Sequence, residues 1–149
     1  ISEKKTRDIL KRLKFDNKTI NEVSELVLIH DMKSPRDKIQ AKKMMCSLGD
    51  EAYLNLIKIK RADNMAKADP HAIDEKLKNM LSFYEEIKAS NECYNLKSLA
   101  VNGDDIKAFG IAEGKEIKSS LDFLLNGVIE GKCQNRKDAL LEYLKENTK

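Results

Sequence analysis

Two glycines four residues apart, Gly110 and Gly114, interrupt a run of helix-spaced apolar residues and set the local topology as helix, tight turn, helix. On the near side, Gly103-Asp104-Asp105 is a helix start, because short acidic side chains cap orphan N–H groups. Gly110 closes that short helix, since glycine takes the left-handed C′ conformation without a Cβ penalty, and Ile111 is placed to cover the turn. Gly114 opens a longer helix carrying Ile117, Leu121, Leu124, Leu125, Val128 and Ile129. That second helix begins on bare backbone. Its unpaired N–H donors, with about half a positive charge, suit a phosphate.

Helical spacing also governs the rest of the chain. Ser2 caps a helix through about Leu13, with Ile9, Leu10 and Leu13 on one side. Phe15-Asp16-Asn17 is a turn and cap, followed by Ile20, Val23, Leu26, Val27 and His30 at helical intervals. Ser34-Pro35 predicts a further start, because proline fits the first helical position and serine the cap. That helix runs to Leu48 and stops at Gly49. Asp50 caps the next, whose Ala52, Leu54, Leu56, Ile57, Ile59 and Ala62 make it apolar on both sides and therefore central. Asp69-Pro70 restarts the chain for a long helix with Ile73, Leu77, Met80, Leu81, Tyr84 and Ile87. Ala89 to Ser98 has no clean period and marks a boundary between subdomains. Gly131 ends the long helix after the hairpin, and Asn135 caps a last one with Ala139, Leu140, Tyr143 and Leu144 inward. No stretch alternates as a strand. The expectation is an all-α bundle of six to eight helices in two helical subdomains, residues 1–90 and 91–149.

Composition narrows the function classes. A hydrophobic share of 41% with 36% charged residues, over 149 residues, suits one helical protein with a real core and argues against disorder. A net charge of +3, with 23 lysines against 5 arginines, does not by itself announce a nucleic-acid binder. Cys46, Cys93 and Cys133 are odd in number and unpaired by spacing, which points to a reducing cytosol and buried thiols rather than disulfides or zinc. None has a His and a carboxylate close in sequence to make it a nucleophile. No apolar run approaches about 18 residues, so no membrane partner is expected. The chain begins within an amphipathic pattern at Ile1, without Met or a signal-peptide core, and reads as a piece of a longer protein.

The run Leu99-Ala-Val-Asn-Gly-Asp-Asp-Ile, then Gly110-Ile-x-x-Gly-x-x-Ile, then Leu121-x-x-Leu-Leu-x-x-Val-Ile-x-Gly-Lys, resembles the C-terminal region of bacterial tRNA nucleotidyltransferases, the CCA-adding enzymes and their poly(A)-polymerase relatives. Glu113 and Lys115 stand where that family often has prolines, and Lys118 where a small glycine is common. Ile9 to Ala66 is similar, more weakly, to the latter half of an HD-type helical domain, with Arg61-Ala62-Asp63 as its closing aspartate segment. The resemblance implies a tRNA partner gripped by shape and backbone, and a separate catalytic head using Mg and ATP or CTP. That head's chemistry needs a Gly-Gly or Gly-Ser turn and an Asp-x-Asp pair on a strand. This sequence contains none of these, so no catalytic residue, metal ligand or cofactor is expected in it, and it is expected to be inactive alone.

Candidate chemistry is then limited. His30-Asp31 with Asp63 could be a remnant metal-dependent phosphohydrolase site, but two histidines, His30 and His71, cannot fill a dinuclear shell. The plainer reading is a helix-end His beside its Asp, with Asp63 bonded to neighbours such as Arg61 or Asn64. Lysine clusters at Lys4, Lys5, Lys11, Arg12 and Lys14, at Lys38, Lys42 and Lys43, and at Lys58, Lys60 and Arg61 could track a polyanion or simply be solvated. The sharper candidate is the hairpin, where Gly110, Gly114, Lys107, Lys115 and Lys118 combine helix-end donors with cations; with the resemblance these become candidate RNA-phosphate contacts. Lys97, Lys107, Lys115 and Lys118 are balanced formally by Asp104, Asp105, Glu113 and Glu116, so any attraction is local. A helical protein-interaction module, including a homo-oligomer, is the remaining alternative.

Overall fold

The structure, a computed structural model, describes residues 3–66, 71–111 and 114–147. Among them are eight α-helices: α1 (Glu3–Arg12), α2 (Asn17–Ile29), α3 (Lys38–Leu48), α4 (Asp50–Met65), α5 (His71–Ala89), α6 (Gly103–Ala108), α7 (Lys115–Ile129) and α8 (Lys137–Asn147). One 3₁₀ turn, Leu96–Ser98, precedes α6, and there is no strand among the described residues. The fold is all-α, as the periodicity predicts. Two compact units divide it: Ile1–Arg36 with Leu48–Glu85, and Asp37–Ser47 with Glu86–Lys149.

In the first unit α2 packs against both α1 and α4. Asp16 caps α2 as expected, its Oδ1 accepting the Thr19 N–H at 3.0 Å and its Oδ2 the Thr19 hydroxyl at 2.6 Å. Ile20, Ile29, Ala52, Tyr53, Leu56, Leu77 and Met80 are buried. Tyr53, which apolar spacing does not single out, is fully buried and donates its hydroxyl to the Met80 carbonyl at 3.0 Å. Burial pushes its phenol up to about 12. Helix α1 buries no residue, and the expected inward Ile9 and Leu13 are exposed. Its Ser2 cap and the Asp69-Pro70 restart lie outside the described residues.

The second unit is organised around α7. Leu124, Leu125 and Ile129 pack with Ile106 of α6, Leu140 and Leu144 of α8, and Cys93, Leu99 and Val101 of the connecting segment. Gly127 lies at the middle of this packing. A Cβ there would sit 2.8 Å from Tyr143 Cε1 and 3.2 Å from Cys133 Sγ, so the hydrogen side chain is what admits the ring. Tyr143 stacks in turn on Phe123, with centroids 5.2 Å apart.

Several helix starts differ from the sequence expectation: α4 starts at Asp50 itself, with Gly49 as its N-cap and no side-chain hydrogen bond to that end among the described residues, so Asp50 is not the cap. Helix α3 begins at Lys38, three residues beyond Ser34-Pro35, because Asp37 accepts the Gln40 N–H at 2.8 Å and makes the better cap. Asn135 does not cap α8; its side chain accepts the Ala100 N–H and donates to the Ser98 carbonyl, both at 2.8 Å. The backbone carbonyl of Arg136 instead takes the first turn's Leu140 N–H. The thiols also differ from expectation at one place: Cys93 is buried and Cys133 half-buried, but Cys46 is exposed.

Candidate nucleic-acid interface

The corner between α6 and α7 is built by three local devices. Asn102 caps α6, its Oδ1 accepting the Asp104 and Asp105 N–H groups at 2.8 and 3.1 Å. Asp105 returns the favour by accepting the Asn102 N–H at 2.9 Å, completing a capping box. The cap is therefore Asn102, with Asp105 in support, rather than the paired aspartates themselves.

At the other end of α6 the chain turns at Gly110, whose φ is +100°. Gly110 N–H donates to the Lys107 carbonyl at 2.9 Å and Ile111 N–H to the Ile106 carbonyl at 3.3 Å. This pair of bonds is a Schellman ending, and Ile111 packs on the core as its apolar partner. Gly114 follows at φ +84° as the N-cap of α7, with no side-chain hydrogen bond to that end among the described residues. An L residue would be strained at either glycine.

The corner is open. Gly110, Gly114, Lys107, Lys115 and Lys118 are all exposed, and a Cβ at either glycine would meet nothing within 4 Å among the described residues. A depression of about 340 Å³, lined by Ile111, Lys115, Glu116, Ser119 and Ser120, lies against the first turns of α7. Lys115 and Lys118 form no ion pair among the described residues, whereas Asp105 is held by Lys137 at 2.5 Å. That bond, the Asn102 N–H and the Lys137 charge keep the Asp105 carboxyl below its ordinary range. One of the four acids that formally balance the hairpin lysines is thus already neutralised from α8. Ser119 and Ser120 were not singled out by sequence; serines on a helix's polar face carry no local signal.

The other candidates land differently. Lys42 and Lys38 both bond Glu92, the latter at 2.7 Å, and Lys43 bonds Glu130 at 2.5 Å, so that cluster is used internally. Lys4, Lys5, Lys11 and Arg12 of α1, and Lys14 just after it, are exposed. His30 closes α2, with Nδ1 donating to the Val27 carbonyl at 2.6 Å and Nε2 3.3 Å from Asp31. His30, Asp31 and Asp63 line one cavity of about 540 Å³ together with Lys60, Asn64 and Lys76. No group of three His, Cys, Asp or Glu side chains among the described residues is arranged to hold a metal ion. Cys46 and Cys133 are pushed up from the ordinary thiol range by desolvation, which disfavours nucleophilic roles. No helix of the described residues is long and apolar enough to cross a membrane.

These features define an all-α chain of two helical units, the second of which carries a glycine-bounded corner exposed to solvent. Residues 1–144 match the family model for tRNA nucleotidyltransferase domain 2, and the chain belongs to that family. It is similar to a CCA-adding enzyme of Geobacillus stearothermophilus, 28% identical over 97% of this chain and 33% of that protein. It is also similar to a CCA-adding enzyme of Bacillus pumilus (strain SAFR-032), 31% identical over 56% of this chain and 24% of that protein. The chain thus spans about a third of the relative it matches along nearly its whole length. No solved structure gives a significant match.

Proposed function

We propose that this chain is the tRNA-binding region of a tRNA nucleotidyltransferase, holding the RNA so that its 3′ end reaches a catalytic head outside these residues. The metal and nucleoside triphosphate chemistry belongs to that head. The observation that carries the reading is the open corner, where Gly110 and Gly114 are exposed and the first N–H groups of α7 have no side-chain cap among the described residues, beside Lys115 and Lys118. Such an end binds phosphate oxygens with backbone donors and adds charge from the two lysines. It reads A-form backbone geometry and is indifferent to base identity. Family membership and the two CCA-adding relatives support tRNA as the polyanion.

Filter binding of a tRNA transcript tests this. Lys115→Glu with Lys118→Glu should weaken binding at least tenfold and reduce the salt slope by about one per lost phosphate contact. Equal affinity and equal slope for the double variant would refute the corner as a contact.

A further inference from the structure

The end of α1 and a groove between α2 and α4 are complementary surfaces that a single copy of the chain leaves unjoined. Helix α1 packs on α2, where Arg7 bonds Asn21 at 2.8 Å, yet buries no residue of its own. Ile9, Leu13 and Phe15 remain 45%, 59% and 48% exposed, with Arg12 and Lys14 exposed among them. The turn is held in place: Lys14 N–H donates to the Lys11 carbonyl at 3.0 Å and Phe15 N–H to the Leu10 carbonyl at 3.1 Å. Three fixed apolar side chains set among cations suit a protein surface better than a phosphate backbone, which needs only charge and polar donors. The groove, of about 600 Å³, belongs to the same compact unit. Four carboxylates line it, Glu22, Glu25, Asp50 and Glu51, against one ammonium, Lys58, which is turned to Asn55 at 3.3 Å. Asp50 and Glu51 also favour the start of α4. Glu22 and Glu25 lie in the middle of α2, where no helix end explains them and the ion pair printed by the geometry is a loose Lys18–Glu22 contact at 3.8 Å. Half-buried Leu26, Leu48 and Ile59 give the groove an apolar wall.

We propose that the α1 end of one copy docks in this groove of a second copy. Ile9, Leu13 and Phe15 cover the apolar wall, and Arg12 and Lys14 meet Glu25 and Glu51. In one copy α1 is already seated on α2 with these side chains turned out, so the occupant is another copy. Each copy both gives an α1 end and offers a groove, so the contact is isologous and closes as a two-fold dimer. Opposite charges set the register and speed encounter, while apolar burial supplies affinity. Both surfaces lie outside the unit that carries the hairpin, so the proposal does not depend on the corner.

Sedimentation velocity of the whole chain over a range of concentrations tests it. A monomer–dimer equilibrium is expected, weakened by salt. Glu25→Lys with Glu51→Lys, and separately Arg12→Glu with Lys14→Glu, should each weaken dimerisation about tenfold. All four positions are exposed, so circular dichroism should show the helices intact in both variants. Mixing the two variants should restore the dimer, because each α1 end then meets a groove of opposite sign. A chain that stays monomeric up to about 1 mM, a dimer indifferent to both pairs of substitutions, or a mixture that fails to re-form it would overturn the proposal. So would a chain monomeric throughout whose Arg12→Glu with Lys14→Glu variant loses affinity for tRNA, since the patch would then face RNA. Lys115→Glu with Lys118→Glu should leave the dimer unchanged, so failure of the hairpin reading does not touch this one.

Discussion

Asn135 holds Ala100 by a hydrogen bond from the Ala100 N–H to its side-chain oxygen at 2.8 Å, and with its amide donates back to Ser98 at the same distance. One side chain from the start of α8 therefore fixes the strand-like segment that leads into Asn102 and the α6 cap. Asn135→Ala removes both bonds at an exposed site. The expected loss is about 1 kcal/mol, seen as a Tm lower by about 2–4 °C for a chain of this size. An unchanged Tm would show that solvent replaces the clamp without cost.

Gly127 and Tyr143 give a sharper case. Alanine at 127 would gain about 1 kcal/mol of helix propensity, but its methyl would press on a ring already stacked against Phe123. Overpacking of a fitted core costs about 1–3 kcal/mol, so Gly127→Ala should be net destabilising in urea unfolding. Combined with Tyr143→Ala, the same substitution should become neutral or stabilising. Equal effects in both backgrounds would mean that the ring does not set the requirement for glycine.

Acid should weaken the fold through Glu130. Bonds from Lys132 and Lys43 take its carboxyl from 4.5 down to about 2. A depressed acid adds stability that is complete above its unfolded value, near 4.5, and is lost as pH falls through about 2. Asp105 shifts in the same direction through Lys137 and the Asn102 N–H. Denaturation measured at several pH values should show a decline below about pH 4.5 that is shallower in Glu130→Gln. Parallel declines in the two proteins would contradict the assignment.

Much of this fold could be read locally. Gly110 and Gly131 close helices in left-handed conformations because glycine alone adopts them freely, and Asp16 caps as its chemistry dictates. The same left-handed ending occurs at Asn91, φ 48°, a residue type that tolerates it, and at Lys14, φ 60°, where residue type gives little warning. What the sequence conceals is pairing across distance. Lys38 and Lys42 look like a free cationic face until Glu92 is brought to them, and Asn135 looks like a cap until Ala100 is. Apolar spacing likewise marks Leu81, which is exposed, and passes over Tyr53, which is the largest fully buried side chain. The candidate corner was legible because its glycines and lysines act through their own backbone segment. The cavity that Asn64 helps to line was not, since it gathers residues from the segment after α2, from α4 and from α5.

The central claim concerns the backbone donors at the start of α7, and amide NMR observes them directly. In a titration of the ¹⁵N-labelled chain with a tRNA acceptor-stem minihelix, the amide signals of Gly114, Lys115, Glu116 and Ile117 should move most, and should move back as salt is raised. If those signals stay fixed while others, such as those of α1, respond to the RNA, the open corner is not where this chain meets its polyanion.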